Sequence, residues 1–268
     1  IYDIEPCVYF GGEFLPAKAV IDERIPVRAS ITREGHDAIG AQVVLTDPNG
    51  KEVSRTGMRE IWPGLDRYEG FITPKSLGNW HFHIEAFDDP FHTWAHDCGI
   101  KIKAGIDEEL CCQMGIEVFE FALTSNEKQL SSSERKALES AVKELKDSKK
   151  SAIARFEVAT TEEIKAIFKN NPTRRYVTST KKYSLKVERE LALAGAWYEF
   201  FPRSEGAVKN KDGSITPGTF RSATKSLDRV KKMGFDILYL PPIHPIGKTF
   251  RKGKNNTLTP TESDPGVP

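Results

Sequence analysis

A basic cluster near the carboxyl end of the sequence has the residue types best suited to bind a ligand. Arg251, Lys252 and Lys254 place three cations within four positions, and the glycine between them allows close approach of the backbone. Such side chains bind anionic oxygens through charge-assisted hydrogen bonds, and the amides of Asn255 and Asn256 add donors and acceptors. The alternative is a solvated basic turn, and the residues alone leave both interpretations open.

His244 lies a few residues before this cluster, between Pro242 and Pro245. The fixed backbone angles of the two prolines would orient its imidazole, which makes His244 a further candidate for ligand contact. A histidine that caps the end of a strand by hydrogen bonding is the alternative. Of the aromatic residues upstream, Trp197 is expected to pack in a core.

Four other histidines raise the question of a metal site. His81 and His83 share one face of a strand because they lie two residues apart, and His92 and His96 follow. No acidic residues supply a convincing second shell, and strand alternation alone places His81 and His83 on the solvent face. We therefore predict no metal site.

The composition argues against two broad classes of protein. The 268 residues include 39 basic and 38 acidic side chains, for a net charge of +1 without a long run of one sign. Nucleic-acid binding and polybasic membrane attachment both need clustered Lys and Arg. The longest apolar stretch, residues 237–246, is shorter than the roughly 18 residues of a membrane span. The amino terminus also lacks the pattern of an export signal.

The cysteines predict a reducing compartment. Cys7, Cys98, Cys111 and Cys112 lack the regular spacing of a disulfide framework, and the adjacent pair lacks the spacing of a zinc site. We expect reduced, buried thiols in a cytoplasmic protein.

Alternating apolar residues predict that residues 1–105 form an antiparallel β-sandwich of the immunoglobulin-like kind. Runs at 27–32 and 80–86 alternate apolar and polar residues, and Gly, Pro and Asn clusters separate the runs. A similar alternation at 183–188 predicts that residues 181–192 add a strand to this sandwich.

The intervening residues, 106–180, have helical periodicity instead. Apolar residues between Ser132 and Asp147 fall on one stripe. Thr160 and Glu163 have the spacing of a capping box, and Pro172 would stop the helix that follows. The pattern predicts a helical bundle inserted into the sandwich.

The third segment, residues 195–268, reads as one βαβ unit. Strand-like residues 196–201 precede a helical stretch at 226–233, which Gly234 ends, and the continuous apolar run at 237–240 is typical of a strand buried in a parallel sheet.

This third segment resembles the start of the catalytic barrel of α-amylase superfamily enzymes. Residues 195–204 (GAWYEFFPRS) resemble the first barrel strand, and residues 227–247 (LDRVKKMGFDILYLPPIHPIG) resemble the first helix and second strand. Residues 248–256 (KTFRKGKNN) are similar to the α-1,4-glucan:maltose-1-phosphate maltosyltransferases. The stretches EGHD (34–37) and TWAHD (93–97) also resemble that family's sandwich domain.

The resemblance implies the beginning of a (β/α)₈ barrel, a fold of about 250 residues. We therefore expect the chain to be the N-terminal part of a longer enzyme. The family's reaction is a retaining transfer of maltosyl units from α-maltose 1-phosphate to the non-reducing end of an α-1,4-glucan, in α-glucan or glycogen synthesis. Retention needs two carboxyl groups about 5–5.5 Å apart. In the family these follow the fourth and fifth barrel strands, so Glu199, Asp228 and Asp236 receive no catalytic role and the chain alone is expected to be inactive.

The resemblance also assigns candidate site residues and partners. Active sites of such barrels are built from loops that follow the strands, and Lys252 matches the lysine of the family's Arg-Lys-Gly pattern. The expected substrate-binding residues are Lys252, Arg251, Lys254, Asn255, Asn256 and His244. The family implies no cofactor and a homodimer through the N-terminal and helical domains.

Two other functions stay open at this point. One is a hydrolase or branching enzyme of the same superfamily that acts on unphosphorylated glucan. The other, for the chain alone, is a non-catalytic carbohydrate-binding or dimerisation module.

Overall fold

The computed structural model describes residues 1–126, 128–244 and 249–261, without the side chain of Lys254. The chain divides into two compact units, Ile1–Arg189 and Glu190–Pro268. Among the described residues, no helix is both long and apolar enough to cross a membrane.

The first unit is a β-sandwich. Its strands are β1 Tyr2–Glu5, β2 Val8–Phe10, β3 Glu13–Leu15, β4 Ala17–Val20, β5 Ile25–Ser30, β6 Ile39–Thr46, β7 Glu52–Gly57, β8 Arg59–Trp62, β9 Arg67–Ile72, β10 Gly78–Asp88, β11 Arg175–Ser179 and β12 Tyr183–Glu188. One sheet has the order β1-β5-β9-β8. A second sheet has the order β4-β12-β10-β6-β7, with β11 also paired to β10, and β2 and β3 form a separate antiparallel pair.

The core of the sandwich lies between these two sheets. Val27 of β5 and Ile72 of β9 meet Val43, Phe82 and Leu185 of the facing sheet, and all five are fully buried. The alternation at 27–32 and 80–86 therefore marks the buried faces as predicted. The predicted pairing of residues 183–188 is also confirmed, because β12 is antiparallel to β10 and parallel to β4.

Five helices follow β10 and precede β11: α1 Pro90–Lys103, α2 Glu108–Ser125, α3 Ser132–Leu145, α4 Ala152–Ala159 and α5 Glu162–Asn170. They share a second core in which Phe91 stacks on Phe168 at 4.0 Å between ring centroids. The helices begin at Pro90, not after residue 105 as predicted. Asp89 caps α1 by accepting from the His92 amide, and the spacing of buried residues changes at this point from two to three or four.

Two local predictions in the helical stretch need correction. The N-cap of α5 is Thr161, whose side chain accepts from the Ile164 amide, and not Thr160. Strand β11 lies within the range predicted to be helical. All five residues of β11 are exposed, so its sequence carries no apolar alternation that would reveal a strand.

The second unit contains β13 Trp197–Glu199, β14 Val208–Lys209, β15 Ile215–Thr216, α6 Phe220–Ala223, α7 Leu227–Lys232 and β16 Ile237–Tyr239. Strands β13 and β16 pair in parallel, and α7 ends before Gly234, whose φ is +86°. The expected burial differs from the structure: Trp197 is 60% exposed and the residues of β16 are at least partly exposed. The reason is that the described part of this sheet has two strands.

Candidate functional site

A pocket lies at the carboxyl edge of the parallel pair. Glu199 is in register with Tyr239, so β13 and β16 end at the same edge of the sheet. The segments that follow both strands line a cavity of about 180 Å³ together with a segment that leads into α6. The described lining residues are Phe201, Pro202, Arg203, Gly218, Thr219, Phe220, Pro241, Pro242, Ile243 and His244.

The backbone around Arg203 is fixed by a close contact with Gly218. The Gly218 amide donates to the Arg203 carbonyl at 2.7 Å. A Cβ at position 218 would lie 2.1 Å from the Glu205 carbonyl oxygen and 2.6 Å from that of Pro202. Position 218 therefore accepts only glycine, because any side chain would push the two segments apart.

A polar network holds the segment after β13 against the helices. Ser226 Oγ donates to Glu205 Oε2 at 2.5 Å, and Arg229 Nη2 donates to Glu205 Oε1 at 3.1 Å. Arg229 Nη1 also donates to the Tyr198 hydroxyl at 3.0 Å. The hydrogen bond to Tyr198, with the charge of Glu205, raises the pKa of Arg229 above its usual value. Glu205 and Arg229 thus serve to hold the loop.

The pocket is electropositive. Arg203 is the one formally charged side chain among its described lining residues, and His244 is the other titratable group. Arg203 is exposed, and no hydrogen bond or ion pair engages its guanidinium within the part of the chain that the structure describes. Its five N–H donors are therefore available to an anion.

The structure brings one of the sequence-predicted residues, His244, to this pocket. Arg251 and Lys252 are half-buried in the segment 249–261, and no described residue of that segment lines the pocket. Asn255 and Asn256 are exposed and adopt left-handed backbone angles, with φ of +53° and +63°. The side chain of Lys254 lies outside the described residues.

The glycine of the basic cluster has a role within its own loop. The Gly253 amide donates to the Thr257 carbonyl at 2.8 Å. A Cβ at position 253 would lie 2.7 Å from Thr257 Oγ1 and 2.8 Å from the Thr259 carbonyl oxygen. Gly253 therefore allows the chain to fold back on itself, whereas the sequence suggested only an approach to a ligand.

Sequence reasoning missed Arg203 as a site residue. It stands in the stretch 195–204 that follows the predicted strand, and that position alone could have indicated it. Asp236, one of the carboxylates excluded from catalysis, accepts from the Ala196 amide through Oδ2 at 3.0 Å.

The surroundings of two of the histidines considered as metal ligands, His83 and His92, are defined by neighbouring carboxylates. His83 lies on the face expected to meet solvent, but its side chain is only 16% exposed beside the buried Glu85. His92 Nδ1 lies 2.6 Å from Asp89 Oδ2, and this hydrogen bond raises the pKa of His92. Among the described residues, no three His, Cys, Asp or Glu side chains converge as metal ligands would.

The buried Glu85 is the centre of a charge cluster whose two arginines are about one third exposed. Arg55 Nη1 donates to Glu85 Oε2 at 2.5 Å, and Arg174 donates to the same oxygen. Burial alone would raise the pKa of Glu85, but the hydrogen bond and charge of Arg55 and the charge of Arg174 outweigh it. The pKa of Glu85 therefore lies below its ordinary value of 4.5.

The cysteines are free thiols. Cys98, Cys111 and Cys112 are buried as predicted, whereas Cys7 is half-exposed. Burial and the neighbouring Cys111 thiol raise the pKa of Cys98 to about 12. Such a thiol is protonated at neutral pH and unreactive.

The first unit is a β-sandwich domain with five helices between two of its strands. Residues 1–189 match the family described as Alpha-1,4-glucan:maltose-1-phosphate maltosyltransferase, domain N/S, and the chain belongs to this family.

Curated relatives extend the similarity over the whole chain. It is 46% identical to maltosyltransferase 1 of Streptomyces coelicolor over 269 residues, which is 100% of this chain and 38% of the relative. The α-1,4-glucan:maltose-1-phosphate maltosyltransferase of Arcanobacterium haemolyticum is 42% identical over 269 residues, which is 100% of this chain and 38% of the relative. The enzyme of that name from Mycobacterium tuberculosis is 37% identical over 293 residues, which is 100% of this chain and 41% of the relative. The chain thus spans about two fifths of the length of these relatives.

Proposed function

We propose that this chain is part of an enzyme that transfers maltosyl units from α-maltose 1-phosphate to the non-reducing end of α-1,4-glucans with retention, in α-glucan synthesis. The observation that carries the proposal is the reach of the similarity. Identity of 46% covers all 268 residues, and so includes the parallel βαβ unit and its pocket as well as the domain matched at 1–189.

In this proposal the second unit is the beginning of a (β/α)₈ barrel. The parallel pairing of β13 with β16 and the pocket at their carboxyl edge support it, because barrel enzymes bind substrates at that edge. His244 would contact substrate there. The basic segment would add Lys252 first, with Arg251, Lys254, Asn255 and Asn256.

The catalytic carboxyl groups would lie in the remainder of the longer protein. Full-length protein incubated with α-maltose 1-phosphate and a maltooligosaccharide should release phosphate and extend the oligosaccharide with α-anomeric products, which NMR can identify. The 268-residue chain alone should release none. Hydrolysis of unphosphorylated glucan without use of the phosphorylated donor would favour the hydrolase alternative.

Lys252 offers a test of the proposed site within this chain. If its ammonium binds the donor, Lys252→Ala removes a charge-assisted hydrogen bond worth about 1.5–3 kcal/mol and lowers kcat/KM by roughly ten- to a hundredfold. Lys252→Arg should recover only part of this loss, since its shape and reach differ. Lys211→Ala, an exposed cation elsewhere in the unit, is the matched control. Unchanged kinetics of Lys252→Ala would make the segment a solvated turn.

We further propose that the first unit contributes to a homodimer. Exposed apolar residues on α2 support this role: Leu110, Met114 and Phe121 lie on one side of the helix, around Glu117, and are 40–55% exposed. Light scattering should then give a mass twice that of the monomer. The double variant with Met114→Glu and Phe121→Glu should have the mass of the monomer. The free thiols support a cytoplasmic location.

A further inference from the structure

We propose that Arg203 binds the phosphate group of the sugar 1-phosphate donor, in the pocket at the carboxyl edge of β13 and β16. The inference rests on the proposed function, which supplies the phosphorylated donor. It assigns that anion to a residue outside the basic segment 249–261.

The volume of the pocket fits part of a ligand. Sites for whole small molecules measure about 300–1,000 Å³, and this pocket measures about 180 Å³. Bulky walls from Phe201, Phe220 and Ile243 bound it on the described sides. A compact group such as a phosphate can enter it, while an attached disaccharide extends outside.

The charge of the pocket selects an anion over a sugar ring. No carboxylate occurs among its described lining residues, although carboxylates are good acceptors for sugar hydroxyls. A cavity of about 490 Å³ in the first unit has a different character, since four carboxylates, those of Asp37, Asp88, Asp97 and Glu117, line it beside one cation, Arg175. Of the two cavities, the one beside Arg203 is therefore suited to a phosphate.

Arg203 is also placed and free to bind. Its backbone carbonyl is fixed by Gly218, whereas its guanidinium has no partner among the described residues. Arg229, in the same unit, is engaged by Glu205 and Tyr198. A guanidinium can donate two parallel hydrogen bonds to a phosphate, and the Thr219 hydroxyl in the same wall can donate another.

Kinetics with two glycosyl donor substrates can distinguish phosphate binding by Arg203 from other roles of this residue. The complete protein is assayed with α-maltose 1-phosphate and with α-maltosyl fluoride, in which fluoride replaces the phosphate. Arg203→Ala should lower kcat/KM for the phosphorylated donor by ten- to a hundredfold and leave that for the fluoride within twofold. Inorganic phosphate should inhibit the wild-type enzyme with the fluoride donor, and this inhibition should weaken at least tenfold in Arg203→Ala.

Arg203→Lys keeps the charge without the two-pronged geometry and should recover part of the loss. Lys209→Ala, an exposed cation on β14, should match the wild type with both donors, and melting temperatures of all variants should agree. An equal loss with both donors, or no loss with either, would overturn the assignment. A wild-type enzyme that uses neither donor would instead refute the proposed function.

Discussion

Strand β10 in the first unit and strand β16 in the second are both rich in apolar residues, yet they have different surroundings. In β10, Phe82 and Ile84 are fully buried between two sheets. In β16, Tyr239 is 45% exposed and its two neighbours are half-buried. An apolar pattern therefore indicates which side chains favour burial. Burial itself requires neighbouring strands in the same sheet and a second layer that packs against it.

The polar residues of the two units differ in the same way. Glu85 on β10 is buried and neutralised by Arg55 and Arg174. Arg203 in the second unit is exposed, and no described residue engages its guanidinium. Buried charges must be paired inside the fold, whereas an exposed and unpaired one is available to a ligand.

Hydrogen exchange should show the largest difference between the units. In the 268-residue chain, the amides of Phe82 and Ile84 should exchange about a thousandfold more slowly than those of Ile237–Tyr239, because opening free energies range from near zero to the global value. Exchange resolved by NMR or mass spectrometry measures this. Comparable protection of both strands would contradict the contrast in burial.

Removal of a large side chain should affect the units unequally. Phe82→Ala should lower the free energy of unfolding of the first unit by about 3–5 kcal/mol, since it leaves a cavity in a closed core. Tyr239→Ala should cost the second unit less than about 1 kcal/mol, because much of its ring already meets solvent. Urea unfolding followed through NMR signals of each unit tests both, and equal losses would remove the distinction.

Acid should weaken the first unit through Glu85. Its pKa in the folded state lies below 4.5, so its charge stabilises the fold above that pH, and the contribution is lost as the pH falls through the folded-state pKa. Glu85→Gln should cost about 1.5–3 kcal/mol at pH 7 and should flatten this part of the acid dependence. Glu188→Gln, in the exposed pair with Lys186, should change stability by less than about 1 kcal/mol.

The smallest expected loss of stability comes from the N-cap of α5, and it distinguishes Thr161 from Thr160 as the capping residue. Thr161→Ala should cost about 1 kcal/mol, because it removes the acceptor for the Ile164 amide. Thr160→Ala should cost less, since its hydroxyl donates to the Phe156 carbonyl at the end of α4 and accepts from no helix amide among the described residues. Thermal unfolding of the two variants compares them, and the reverse order would support the cap expected from the sequence.

Part of the candidate site could be predicted from the sequence, and part of it could not. The sequence indicates His244 and the ends of the two strands, because strand and helix periodicities are local. Arg203 could not be identified as part of a pocket with His244, since this depends on the parallel pairing of residues forty positions apart. No local pattern records such a pairing.

The sequence by itself determined the family resemblance, the core faces of β5, β10 and β12, the helical stripe of α3 and the existence of α5. Each of these depends on residue types and on periods of two or 3.6 residues. Only the tertiary structure decided that β11 joins the sheet, that the buried Glu85 pairs with two arginines, and that Gly218 fixes Arg203 at a pocket. These features arise from contacts between distant residues, whose energies depend on packing and charge in three dimensions.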